Sequence, residues 1–268
     1  KISDKMGREI SFCTPMSHFT ENLNLQEKQI GISISDSSDI DKFGIGVEMF
    51  KDITIELTRH ILKANGRMIY GGDLRDNGFT ELFRELAKQY GQKEKAEFDV
   101  QYIKNYLSWP LYNDITKEKL ADYLASRILL VNAKPGNAVG PDEMKRFIPK
   151  RVSKEAMLKW ATSLTQMRID SIEESDARII AGGMMQGFSG FMPGIAEEFM
   201  IAYEKKKPIF LIGGFGGCAH VIANIIEGKA NSKSLSDVSF QAEIYVEFLE
   251  WAAKYDHKVD YGFFDHIK

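Results

Sequence analysis

Residues 178–183 read Arg-Ile-Ile-Ala-Gly-Gly and residues 68–73 read Met-Ile-Tyr-Gly-Gly-Asp, so the chain twice breaks from a short apolar stretch into paired glycines. A segment with helical periodicity follows each pair. In α/β proteins this order of strand, glycine turn and helix start binds anions, because glycine lets the backbone approach a ligand and the free N–H groups of the helix favour negative charge. Two such turns predict the two sides of one phosphate-binding crevice.

The segments around these turns alternate between strand and helix patterns. This alternation predicts an α/β fold, a doubly wound (Rossmann-like) parallel sheet with helices on both faces. Residues 1–28 lack a sustained period, so we expect an N-terminal linker or arm before a single domain over residues 29–268. The predicted strands are Gln29–Ser35, Arg67–Tyr70, Phe98–Ile103, Arg127–Val131, Arg178–Ala181 and Pro208–Ile212, and the predicted helices are Val47–Asn65, Phe79–Tyr90, Ser153–Glu174, Gly194–Glu204, Phe215–Glu227 and Val238–Tyr255.

Composition limits the classes of partner. The 268 residues are 44% hydrophobic and 27% charged, with a formal net charge of −3, so a broad nucleic-acid surface is not expected. No apolar run is long enough to cross a bilayer and no signal-peptide pattern opens the chain, which predicts a cytoplasmic protein without a membrane partner. The two cysteines and five histidines lack metal-ligand spacing, and we expect neither metal nor cofactor. Because the chain begins at Lys1, we expect a piece of a longer protein.

Glu197 and Glu198 stand at the start of the helix that follows the second glycine turn. Successive helix residues point about 100° apart, so at most one of the two faces the crevice and the other serves the helix cap. Arg168, on the preceding helix, offers a rigid fork of donors that suits phosphate. A helical arginine is more often solvated, and both interpretations of Arg168 remain open.

Further candidates lie at the predicted strand ends. Asp73 is placed to accept from ribose hydroxyls, as acidic residues do in dinucleotide folds, although it and the residues ending the first strand are equally common in turns. The run Gly213–Gly217 matches neither a Walker A loop nor GxGxxG and serves either phosphate or tight packing. The predicted ligand-binding set is Ser33, Ser35, Asp36, Gly71, Gly72, Asp73, Arg168, Gly182, Gly183, Gly194, Glu197, Glu198 and Gly214.

Several of these segments together resemble the SLOG superfamily, which unites DprA-like proteins with the LOG phosphoribohydrolases. In LOG enzymes a compact proline-glycine-glycine to glutamate motif binds the nucleotide phosphate and supplies the catalytic glutamate, and an upstream arginine assists. Glu198 falls on that glutamate and Arg168 near that arginine. The resemblance covers roughly residues 29–228 and is carried by Ser33–Ser38, Tyr70-Gly71-Gly72, Met167-Arg168, Gly182-Gly183 and Gly194–Glu198.

This chain departs from the LOG motif in three ways. Ala181 replaces the proline, Ile195 replaces the threonine, and Met184–Pro193 lengthen the segment before the glutamates. The lengthened form is more similar to the sensor branch of the superfamily, which includes the domain that follows the Sir2-like module of the Thoeris antiphage effector and related domains attached to TIR modules.

The resemblance to the sensor branch implies an oligomeric domain that binds an ADP-ribose-type signal, such as a cyclic ADP-ribose derived from NAD. Such a domain controls an effector in the same polypeptide in antiviral defence and has no catalytic residue. The alternative is a LOG-like N-glycosidase of nucleoside monophosphates, in which Glu198 stabilises the ribose cation and Arg168 holds the phosphate. A structural oligomerisation module with a vestigial site is a third reading.

Overall fold

The computed structural model describes residues 2–3, 9–10, 24–37, 39–44, 46–72, 74–93, 100–236 and 243–267. Most of the predicted arm over residues 1–28 lies outside these ranges, as does Asp73, so their predicted roles stay predictions. Ile2–Ser3 (β1) and Glu9–Ile10 (β2) form a separate antiparallel pair.

The main sheet has six strands, and every neighbouring pair in it is parallel. Parallel neighbours need crossover connections, and helices lie between these strands in the sequence. The strands are β3 (Gln29–Ser35), β4 (Arg67–Gly71), β5 (Ile103–Leu107), β6 (Ile128–Asn132), β7 (Ala177–Gly182) and β8 (Ile209–Ile212). Their order across the sheet is β6-β5-β4-β3-β7-β8.

Helices cover both faces of this sheet, which confirms the predicted doubly wound fold. On one face, Phe50 and Phe83 join the core of the sheet, and on the other face Met167 and Ile195 do so. The helices are α1 (Val47–Lys63), α2 (Phe79–Lys93), α3 (Lys117–Ala125), α4 (Lys154–Glu174), α5 (Gly194–Glu204), α6 (Gly217–Ile226), α7 (Lys233–Ser236) and α8 (Glu243–Ala253).

The alternation in β3 explains why its two faces differ. Ile30, Ile32 and Ile34 point into the core that also contains Phe50. Successive strand residues point to opposite faces, so the small residues between the isoleucines lie toward α4 and α5. Their small size leaves room there for larger polar side chains from neighbouring elements.

One predicted strand differs from the structure, and one predicted helix is described only in part. The strand predicted over Phe98–Ile103 is wrong in position, because β5 begins at Ile103, where it pairs with Met68 of β4. The last predicted helix, Val238–Tyr255, agrees over its described part, because α8 covers Glu243–Ala253, and residues 237–242 lie outside the described ranges. The remaining predicted elements agree apart from small shifts at their ends.

The strand order reverses direction at β3. The chain passes from β3 to β4 on one side and later returns to place β7 on the other side. In open α/β sheets such a switch point leaves a crevice outside the carboxyl ends of the strands, and ligands bind there. The two glycine turns predicted from sequence lie at the carboxyl ends of β4 and β7, at the same edge of the sheet as this crevice.

Candidate functional site

A cavity of about 310 Å³ occupies the crevice at the switch point. It opens between the ends of β3 and β4, the long helix α4 and the start of α5. Its volume is at the lower end of the range for small-molecule sites. The lining includes Ser35, Tyr70, Gly71, Gly72, Arg75, Lys150, Trp160, Arg168, Met184, Gly194, Ile195 and Glu198.

The turn after β4 requires glycine for steric reasons. A Cβ on Gly72 would overlap the ring of Tyr70, and one on Gly71 would lie 3.1 Å from Cε of Met167. Asn105 of the next strand donates a hydrogen bond from Nδ2 to the carbonyl of Gly72 at 3.3 Å. The backbone of this turn therefore forms part of the cavity wall, and no side chain from Gly71 or Gly72 covers it.

Glu198 is anchored beneath the cavity by a buried arginine and a serine. Nη2 of Arg178 donates to Oε2 of Glu198 at 2.7 Å, and Ser33 Oγ donates to the same oxygen. Nε of Arg178 in turn donates to Ser33 Oγ at 2.8 Å. Arg178 is 0% exposed and Glu198 is 7% exposed. These bonds fix one carboxylate oxygen and hold Glu198 in a single orientation.

The buried Arg178 depends on the small residues of β3. Its strand partner is Gly31, and a Cβ on Gly31 would lie 2.6 Å from Cδ of Arg178. The guanidinium then continues over Ser33. A larger residue at either position of β3 would displace the group that holds Glu198.

Glu197 points away from the crevice and pairs with Arg168. Nη1 of Arg168 donates to Oε2 of Glu197, and Thr165 Oγ1 donates to Oε1. Glu197 lines a different cavity, of about 550 Å³, on the far side of this pair. Of the two glutamates, Glu198 alone lines the crevice, while Glu197 orients Arg168.

One buried donor of Arg168, its Nε, has no hydrogen-bond partner among the described residues. This nitrogen lies 3.8 Å from Oε1 of Glu198. The guanidinium also lies against the start of α5, because a Cβ on Gly194 would lie 2.7 Å from Nη2. A buried N–H group without a partner is costly, so a ligand acceptor that reached this nitrogen would be stabilised.

The N-terminus of α5 is open toward the same cavity. Its N-cap residue, Pro193, provides no side-chain cap, and Gly194 and Ile195 line the crevice. The first N–H groups of a helix have no partner within the helix and attract negative charge. This helix start and Arg168 therefore direct donors toward one region.

By contrast, a carboxylate already occupies the N-terminus of α6. The Gly217 N–H donates to Oδ1 of Asp39 at 2.8 Å, and Ser37 donates to the same oxygen. Burial raises the pKa of Asp39, but the bonds from Ser37 and Gly217 outweigh burial and lower it below its ordinary value. Gly214 is exposed, has no neighbour within 4 Å of a built Cβ and does not line the crevice.

The second glycine pair, Gly182-Gly183, allows the backbone conformation of the turn after β7. Gly182 has φ +63° and Gly183 φ +104°, a region that L side chains rarely adopt, and both are buried. A Cβ on Gly182 would lie 2.5 Å from the carbonyl oxygen of Ser35. The Gly183 carbonyl accepts from the Cys218 N–H at 2.9 Å, which ties β7 to α6.

Most of the predicted ligand-binding residues lie at or next to the crevice, where they have different roles. Ser35, Gly71, Gly72, Arg168, Gly194 and Glu198 line the crevice, and Ser33 and Glu197 hold its charged groups. Asp36 lines an adjoining cavity, Gly182 and Gly183 form the turn behind the site, and Gly214 lies elsewhere.

Several site residues were not predicted from the sequence. Arg178 and Thr165 position the two glutamates, and Arg75 and Lys150 add positive charge to the lining. An arginine inside an apolar strand was the available signal for Arg178. Thr165 lies three residues before Arg168, so the two share a helix face.

Within the described ranges, no three His, Cys, Asp or Glu side chains come together as metal ligands. No described helix is both long and apolar enough to cross a membrane. Burial raises the pKa of the Cys218 thiol, which keeps it protonated and poorly nucleophilic.

The comparison with known proteins places the chain in a family. No curated protein and no solved structure matches it significantly. The model of the family described as SLOG cluster2 matches residues 24–266. This match spans the main sheet, both glycine turns and the crevice, and the chain therefore belongs to the SLOG cluster2 family of the SLOG superfamily.

Proposed function

We propose that this chain is a sensor domain that binds an ADP-ribose-type nucleotide, such as a cyclic ADP-ribose, in the crevice. The observation that carries the proposal is the uncapped N-terminus of α5 beside the unpartnered Nε of Arg168. Backbone N–H groups at a helix start and a guanidinium are the donors that phosphate oxygens accept most readily. Membership of the SLOG family independently supports a nucleotide-related function.

Glu198 supplies the complementary acceptor for the sugar. Its Oε2 is occupied by Arg178 and Ser33, which leaves Oε1 for a ribose hydroxyl. Carboxylates accept from ribose hydroxyls in other Rossmann-like sites. A phosphate at the start of α5 and a ribose against Glu198 would belong to one nucleotide.

The biological setting rests on the resemblance to the sensor branch. Met167-Arg168 and the lengthened segment Gly182–Glu198 support a domain that controls an effector in the same polypeptide during antiphage defence. In this proposal the protein works in the cytoplasm as a homo-oligomer, and the nucleotide changes the state of the attached effector.

A LOG-like N-glycosidase is the second candidate, because Glu198 lines the crevice as such an enzyme requires. Catalysis would need this carboxylate to stabilise positive charge on the ribose. Its charge is already compensated by Arg178 at 2.7 Å, with Arg168 nearby at 3.8 Å. Compensation weakens the field available to a ribose cation, which favours binding over turnover.

Calorimetric titration with cyclic ADP-ribose isomers, ADP-ribose, NAD and AMP tests the proposal. We expect at least one to bind. Arg168→Gln should weaken that binding by about 1.5–3 kcal/mol, the free energy of a charged hydrogen bond. Arg59→Gln is the matched control, because Arg59 is an exposed arginine of α1.

A second variant separates the position of the Arg168 guanidinium from its charge. Gly194→Ala keeps the charge but places a Cβ 2.7 Å from Nη2 of Arg168, so it should also weaken binding. Circular dichroism verifies that each variant is folded. Absence of heat and of thermal shift with all of these nucleotides would refute the proposed function.

A further inference from the structure

A side cavity of about 370 Å³ adjoins the crevice next to α2. Ser35, Tyr70, Arg75 and Met184 line both spaces and so form the border between them. Each cavity alone is near the lower limit for a small-molecule site, whereas both together are well within the range.

The two spaces have opposite charge. In the crevice, the charged lining residues are Arg75, Lys150 and Arg168 against a single carboxylate, Glu198. In the side cavity, two cationic side chains face four carboxylates, of which Glu81 already accepts hydrogen bonds from Arg84 at 3.0 and 2.7 Å. The charged lining residues there are Lys51, Arg75, Asp36, Asp76, Glu81 and Glu85.

This difference in charge determines which chemical group suits each space. Phosphate is favoured in the crevice and repelled by the carboxylates of the side cavity. Carboxylates accept hydrogen bonds from hydroxyl groups, and Phe79 and Leu82 add apolar surface to the same wall. Metal binding does not account for the carboxylates, because no three of the described ones come together as a ligand set.

We propose that the crevice and the side cavity form one bipartite site, in which the side cavity holds a second ribose joined through phosphate to the nucleotide in the crevice. The inference rests on the proposed function and extends it, because it assigns a separate recognition site to the second half of the ligand. The carboxylates of the side cavity accept from the hydroxyls of this ribose, and Arg75 at the border faces the linking phosphates.

The affinities of the wild-type chain for AMP, ADP and ADP-ribose give the first test. These ligands differ by one phosphate and then by one ribose. ADP-ribose should bind at least about tenfold more tightly than ADP, which corresponds to one or two additional hydrogen bonds. Equal affinities for ADP and ADP-ribose would overturn the bipartite site and leave nucleotide binding in the crevice intact.

Filling the side cavity gives the second test. Leu82→Trp should weaken ADP-ribose binding at least about tenfold and change AMP binding by less than about twofold. Leu124→Trp, at an exposed leucine of α3, is the matched control and should change neither affinity. If Leu82→Trp does not fold, Asp36→Asn removes one carboxylate from the side cavity and should selectively weaken ADP-ribose.

The outcomes distinguish the two proposals. Equal weakening of AMP and ADP-ribose by the side-cavity variant would show that the two spaces are not separate recognition sites, and would refute this inference alone. Failure of the wild-type chain to bind any of the three ligands would refute the bipartite site, and the proposed function would fall with it only if the cyclic ADP-ribose isomers and NAD also fail to bind.

Discussion

Arg178 is the residue on which the charged centre depends. It is fully buried within a parallel sheet, where an unpaired charge would be strongly unfavourable. Glu198 and Ser33 satisfy two of its nitrogen donors, and Gly31 leaves space for its aliphatic stem. The ion pair therefore has a geometric role, since it fixes the carboxylate that faces the crevice.

Replacing Arg178 tests this dependence. Arg178→Met leaves the Glu198 carboxylate buried without its main partner and should lower the free energy of unfolding by about 3–5 kcal/mol. The double variant Arg178→Met/Glu198→Leu removes both charges and should recover most of that loss. Urea unfolding measures both. A double variant no more stable than the single one would contradict the assignment of Glu198 as the partner.

Gly31 supports a second prediction. Gly31→Ala would place its Cβ 2.6 Å from Cδ of Arg178 and should cost about 1–3 kcal/mol, as overpacking does. Gly214→Ala is the matched control, because nothing lies within 4 Å of its built Cβ, and it should leave stability and nucleotide binding unchanged. Thermal unfolding of the two variants compares them. An equal effect at both positions would show that the space over Gly31 does not matter.

The sequence could suggest Glu198 and Arg168 as candidate ligand-binding residues, but not which side chains position them. Glu198 stands at a helix start after a glycine turn, and that local pattern is visible in the chain. The role of Arg178 depends on its pairing with Gly31 in a strand far away in sequence. Only the strand register shows that the two residues are neighbours.

Among the helices, α5 and α6 differ in what meets their N-termini. Asp39 caps α6 through the Gly217 N–H, whereas the N-cap residue of α5, Pro193, has no side chain that can cap the helix. The glycine run Gly213–Gly217 therefore binds a carboxylate of the chain itself, that of Asp39. This difference leaves the start of α5, rather than that of α6, as the anion site in the proposed function.

The cap on α6 makes stability depend on pH. Asp39→Ala should lower the free energy of unfolding at neutral pH by about 0.5–2 kcal/mol. Because the folded state lowers the pKa of Asp39, its contribution is present above the unfolded value of about 3.9 and is lost as pH falls through the folded value. Urea unfolding from pH 7 to pH 3 should show the difference between wild type and variant shrinking at the acidic end. A constant difference would mean that the charge of Asp39 does not contribute.

Local sequence patterns predicted most helices and strands correctly. The exception is β5, whose position is set by its pairing with β4. Ser153 caps α4 by accepting from the Ala156 N–H at 3.1 Å, as its position before the helical pattern predicts. The register of β5 follows from contact with β4, where Met68 faces Ile103 and Gly71 faces Tyr106. Hydrophobicity alone could not place it, because strand-like residues occur on both sides of Ile103.

At the scale of the whole molecule, the topology concentrates positive charge in a net acidic chain. The formal charge is −3, yet Arg75, Lys150 and Arg168 come from separate parts of the sequence to line one crevice. Phosphate binding in this crevice, as proposed, would therefore need no basic surface elsewhere. The fold achieves this because the segment after β4, the residues before α4 and α4 itself all border the crevice.

The proposed sensor role leads us to predict a ligand-dependent change of assembly rather than turnover. Glu198 is held by Arg178 and Ser33 and lies near Arg168, so its negative charge is largely compensated before any substrate enters. An N-glycosidase needs that charge to stabilise the ribose cation. We therefore expect no release of adenine from AMP above background, together with a nucleotide-dependent shift in molar mass measured by light scattering. Chromatography would detect free adenine, and sustained release that Glu198→Gln abolishes would establish the N-glycosidase instead.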